Sequence, residues 1–119
     1  MRNDSDIMTE ILNAMCSNKT LQKVGDTYEI PDDITNEDVK NVLLKRAEEY
    51  LNEELMEPYG KARLGRSAKE QQEVINEQIS RFRDIIKEMC KKLYLSPPPD
   101  NEIESVLRDG LDPRYGTTC

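Results

Sequence analysis

The chain contains no histidine, no tryptophan and a single phenylalanine, Phe82. Without histidine it lacks the commonest general base, the commonest metal ligand and the usual partner of a serine or cysteine nucleophile. The thin aromatic supply removes the side chains that contribute most to a core. In a sequence that is 34 % charged, this favours long exposed helices over a thick globule, with the missing core supplied by a partner or by a second copy. The three cysteines, Cys16, Cys90 and Cys119, are far apart, odd in number and without a C-x-x-C pair. They form neither a zinc pattern nor a disulfide framework. No apolar run approaches the roughly 18 residues of a membrane span. No apolar segment of the secretory kind follows Met1–Asp6. An intracellular, cytoplasmic setting, or the inside of a virus particle, is the expected location.

What is present is charge, unevenly spread. The net charge is −7. Residues 1–57 hold fourteen acids against six bases, whereas 58–66 hold three bases and no acid. Net acidity disfavours nonspecific binding to nucleic acid or to an anionic membrane. It still permits one local anion contact in the basic segment.

The 119 residues suit one domain. Ile7, Met8, Ile11, Leu12 and Met15 fall at helical spacing and predict a short helix over about 5–16. Residues 17–34 are punctuated by Asn18, Gly25 and Pro31, with a short extended piece at Tyr28–Ile30. Thr35 is an N-cap for a helix over 36–57, Ile34 and Val39 form a hydrophobic staple, and Pro58 is read as its stop. Ser67 and Glu70 make a capping box that opens the longest helix, about 68–95. On it Ile75, Ile79, Phe82, Ile86, Met89 and Leu93 step by four and three, a coiled-coil seam. Ser96-Pro97-Pro98-Pro99 is a stiff break. Asn101 and Glu104 carry the cap signature of a short helix over about 102–109, with Gly110 as a left-handed stop. The expected fold is all-α: a helical hairpin or small bundle. One long central helix packs on a shorter antiparallel one, residues 1–95 form the helical domain, and 96–119 form a proline-led arm.

Two segments carry candidate chemistry. Gly60-Lys61-Ala62-Arg63-Leu64-Gly65-Arg66-Ser67 approaches a phosphate-binding loop, with Arg66 in the lysine position. Such a loop needs a preceding strand and a parallel sheet, and a helix precedes this one. What survives is an anion or partner contact through Lys61, Arg63, Arg66 and Ser67 beside the free N–H groups of a helix N-terminus. The group Glu48, Glu49, Glu53, Glu54 and Glu57 lacks the histidines of a di-iron bundle and reads as a solvated or interface face. No cofactor, metal or small-molecule substrate is expected, and the chain is read as non-enzymatic.

The seam at Ile75–Leu93 marks the surface expected to bury against a copy of the chain or another protein, with the arm beyond Pro99 lying on a neighbour. In layout the chain is similar in outline to small helical connector proteins of phage particles and to small phage adaptor and inhibitor proteins. The likeness lies in the layout alone, and no motif carries it. It implies a structural connector or adaptor subunit of a larger complex. Two alternatives stay open: a nucleic-acid-associated packaging or regulatory subunit using loop 59–66, and a small acidic inhibitor of a host complex.

Overall fold

The computed structural model describes residues 3–62 and 67–111, with the backbone alone for 56–62 and Ala68. Among these residues, four helices and one two-stranded hairpin pack around one apolar core.

Helix α1 (Asp4–Ser17) opens on Asn3, whose side-chain carbonyl accepts the Asp6 N–H at 2.8 Å. Asp4 and Asp6 place negative charge where the helix dipole favours it. Ile7, Ile11, Leu12 and Met15 share the buried face. The helix closes at Lys19, which adopts the left-handed conformation at φ 68°. That turn sends the Thr20 and Leu21 N–H groups back to the Met15 carbonyl at 2.9 and 3.1 Å.

Strands β1 (Gln22–Val24) and β2 (Thr27–Glu29) then pair antiparallel, Lys23 opposite Tyr28 and Val24 opposite Thr27. Gly25 takes φ +63° at the first loop position, and Asp26 stays at negative φ. This is the type II′ pattern, whose twist matches a hairpin. Gly25-Asp26 thus fixes a hairpin in the region where sequence alone indicated one extended piece. The hairpin is tied to α1 by Tyr28, whose hydroxyl donates to Asn13 Oδ1 at 2.8 Å.

Helix α2 (Asn36–Ala62) starts as its cap foretells, with Thr35 Oγ1 accepting the Asp38 N–H at 3.1 Å. Val39, Leu43, Ala47, Leu51 and Leu55 recur every four residues, and none is exposed. The helix does not stop at Pro58 but continues to Ala62. A proline inside a helix lacks the N–H that would meet the carbonyl four residues back, here that of Glu54. The restriction it places on the preceding residue is a bias, which the rest of this long helix overrides.

Helix α3 (Ala68–Lys92) carries the expected capping box: Ser67 Oγ accepts the Glu70 N–H at 3.2 Å, and Glu70 Oε1 accepts the Ser67 N–H at 3.4 Å. It ends three residues short of the expected 95. Tyr94 turns left-handed at φ 58°, its N–H reaches the Lys91 carbonyl, and the Leu95 N–H reaches the Cys90 carbonyl at 2.8 Å. This is the Schellman closure, and the buried Leu95 is its hydrophobic contact.

Residues 95–99 have no regular structure, and Pro99 holds polyproline-like angles, φ −58° and ψ 151°. Helix α4 begins at Asp100, two residues earlier than expected. The Pro99 carbonyl accepts the Glu102 and Ile103 N–H groups, each at 3.0 Å. Asn101 therefore lies inside the helix and is not its cap. Glu104 does not serve the cap either; it accepts from Arg83 Nη1 at 2.9 Å. Gly110 ends α4 at φ −86°, outside the left-handed region. Its small size serves a close approach: an added Cβ would lie 2.6 Å from Glu48 Oε2.

Sequence reading sent this arm to a neighbour. Within this chain α4 folds back on α2 and α3, with Ile103 and Leu107 fully buried. Arg83–Glu104 and Lys87–Asp100, at 2.9 and 3.0 Å, flank the contact with α3. Asn52 Nδ2 donates to the Gly110 carbonyl at 3.0 Å and ties α4 to α2. No described helix is long and apolar enough to cross a membrane.

Candidate interaction surface

The seam residues Ile75, Ile79, Phe82, Ile86, Met89 and Leu93 are all buried within the single chain, at 5 % exposure or less. They face the chain's own helices, and for them to meet another chain the core would have to open. The cations of the basic segment lie outside the described residues, namely the side chain of Lys61 and the whole of Arg63 and Arg66. Ser67 is in place as the α3 cap, its hydroxyl taken up by Glu70. Cys119 also lies outside the described residues.

The acidic group on α2 divides. Glu49 pairs with Arg46 at 3.3 Å on the surface. Glu54, in contrast, is 4 % exposed and lies 3.8 Å from Arg81 Nη1. Arg81 also binds Asp4 Oδ1 at 2.7 Å and Gln78 Oε1 at 3.1 Å, so it joins the start of α1 to α2 and α3. A buried carboxylate is kept only with such partners, and this cluster is structural. Glu48 packs on Gly110, where partial burial pushes its carboxyl above the usual range; Lys45 opposes the shift, while Asp109 and Glu49 add to it. Among the described residues no group of acids and cysteines is arranged to hold a metal ion. Cys90 is buried, and burial pushes its thiol up, away from the thiolate a nucleophile needs.

The surface offers one corner of a different kind. A cleft of about 240 Å³ opens between α1, the hairpin and the end of α3. Met8 and Leu12 of α1 form its apolar wall, Tyr28 faces them from β2, and Tyr94 stands beside Lys92 where α3 ends. Tyr94 is 94 % exposed and Val24 is 51 % exposed; these are the two large hydrophobic side chains left exposed among the described residues. Val24 pairs with Thr27, which also lines the cleft, so both belong to the same end of the molecule. A larger depression of about 510 Å³ lies over Asp100, Asn101, Glu104 and Arg108, but it is shallow and charged along one helix, as a solvated face is.

Tyr94 also occupies a position that disfavours it. The residue after a helix C-cap in a Schellman closure is left-handed and usually glycine, since a side chain there costs roughly 1–2 kcal/mol. The chain therefore displays a fully exposed aromatic ring at an energetic cost to its own fold. Sequence reading did not single out this residue. Leu93 completes the seam and the helical spacing runs on through Tyr94, so no local signal marked the turn. The cleft could not be read either, because its walls come from segments about 85 residues apart. Compared with family models, curated proteins and solved structures, the chain matches none.

Proposed function

We propose that the chain is a non-enzymatic interaction protein, an adaptor or small connector subunit that docks on a protein partner through the corner formed by α1, the hairpin and Tyr94. In this reading α2 and α3 form an antiparallel hairpin, a rigid scaffold braced by α1 and α4. The observation that carries it is Tyr94 itself, an exposed aromatic held at φ 58° on the rim of a cleft. The left-handed turn closes α3, but glycine would close it at less cost, and a bulky residue retained at such a position is a candidate for recognition. Tyrosine is among the residues most enriched at the energetic centres of protein interfaces.

The test is position-specific crosslinking. A photoreactive phenylalanine analogue is placed at Tyr94 and, as a control, at the exposed Glu88, and the chain is irradiated in the cells that express it. A discrete adduct from the first position and none from the second supports the reading. Equal labelling from both positions, or none from either, refutes it.

A further inference from the structure

The hydrogen-bonding character of the cleft specifies what should enter it. Five hydroxyl-bearing residues line it, Ser5 and Thr9 on α1, Thr27 and Tyr28 on β2, and Tyr94 beyond α3, and three of them have their proton committed elsewhere. Thr9 Oγ1 donates to the Ser5 carbonyl at 3.0 Å, Thr27 Oγ1 to the Val24 carbonyl at 2.9 Å, and Tyr28 to Asn13 Oδ1 at 2.8 Å. A hydroxyl whose proton is spent offers its oxygen lone pairs only. Asp26, at the tip of the hairpin, adds an acceptor-only carboxylate, and no ion pair holds it among the described residues. The cleft is thus rich in acceptors, with an exposed aromatic face at its mouth. Lys92 is the one cation among its lining residues, and its side chain is exposed on a flexible stem.

Acceptors and an aromatic face together suit a planar cation with several N–H donors. A guanidinium can stack on Tyr94 and donate to Asp26 and the hydroxyl oxygens, while its alkyl stem or a neighbouring apolar side chain meets Met8 and Leu12. Tyr28 already receives a cation in this way, with Lys23 Nζ 5.5 Å from its ring centre. The net charge of −7 acts in the same direction, attracting a basic partner and opposing a second copy of the chain. A volume of about 240 Å³ also accommodates one or two side chains. Resting on the docking role given above, we infer that the cleft receives an arginine flanked by apolar residues, presented by a basic segment of the partner protein.

The experiment is an amide NMR titration of the whole chain with three blocked peptides: acetyl-Leu-Arg-Leu-amide, the same peptide with citrulline for arginine, and the same with glutamate. Citrulline keeps the shape and removes the charge. The arginine peptide is expected to shift the amides of Met8, Leu12, Thr27 and Tyr94, and added salt should weaken it. Asp26→Asn and Tyr94→Gly are each expected to lower its affinity by about tenfold, as loss of a charged hydrogen bond or a cation–π contact does. Citrulline should bind about tenfold more weakly, and the glutamate peptide should leave these amides unmoved. Equal binding of all three at these amides would overturn the arginine assignment and leave the corner standing as an apolar docking surface. If no peptide moves these amides, the assignment is overturned; the crosslink at position 94 then decides separately whether the docking role survives.

Discussion

Replacing Tyr94 by glycine should make the protein more stable. The ring is 94 % exposed, so its removal forfeits almost no buried area. The gain is relief of the left-handed backbone at φ 58°, roughly 1–2 kcal/mol for a residue with a Cβ. Glycine gives some of this back, because it has more freedom to lose on folding, about 0.5–1 kcal/mol. The net expectation is a stabilisation of about 0.5–1 kcal/mol, equivalent to a rise in Tm of roughly 2–5 °C for a chain of this size. Both closing hydrogen bonds, Tyr94 N–H to Lys91 and Leu95 N–H to Cys90, involve backbone and persist in the variant. Equilibrium urea unfolding at neutral pH, with Tyr94→Ala alongside, isolates the cause. Alanine removes the same ring and keeps the Cβ, so it should show no gain. Equal stability of the glycine and alanine variants, or a glycine variant weaker than the parent, would refute the argument that the fold bears a cost at this corner.

Four further expectations follow from the packing. Phe82→Ala should cost about 3–5 kcal/mol by urea unfolding, because the one phenylalanine is fully buried at the centre of the core. Ser67→Ala should cost about 1 kcal/mol in the same assay, through loss of the α3 cap. Glu48 has its carboxyl pKa raised in the folded state, so its protonated form favours the fold, a contribution complete below the ordinary glutamate value and lost as pH rises through the raised one. Glu48→Gln should therefore raise the midpoint of unfolding at pH 7, with the advantage fading towards pH 4; an unchanged advantage at the acid end would contradict this. Asp100 behaves oppositely, its pKa lowered by its hydrogen bond to Lys87. Its small support for α4 should vanish as pH falls through the lowered value, and Asp100→Asn should reduce the pH dependence of amide protection in α4.

Helix starts with a side-chain signal were legible in the sequence. Thr35 and Ser67 cap where their spacing says they should, because a cap is satisfied within three residues of chain. Stops were less legible, since they depend on competition with distant contacts. Pro58 looked final and was not, as the rest of α2 outweighed one missing bond. Asn101 looked like a cap, but the chain leaving Pro99 had already begun to wind. The period of 3.5 on α3 correctly marked a buried face and was silent on what buries it. The same Ile and Phe spacing serves contact with α2 of one chain or with a second chain. The charge pattern misled at Glu54, where a surface-like Glu-rich run hides one carboxylate turned inward to Arg81. Nothing in local sequence could bring Met8 and Tyr94 to one cleft.

The way α4 is attached has a consequence at high protein concentration. The main contacts that seat it, among the described residues, lie on α2 and α3: Arg83 and Lys87 at the flanks, Asn52 and Glu48 at its end, and the apolar bed for Ile103 and Leu107. Three successive prolines lead into it and give the connection the stiffness of a strut. Every copy thus offers the same seat, and a released α4 can dock on its neighbour's as well as on its own once the protein is concentrated enough to offset the short tether. Concentrated protein that is warmed until α4 detaches and is then cooled should trap exchanged dimers, with each helix docked on the other molecule through contacts identical to those of the monomer.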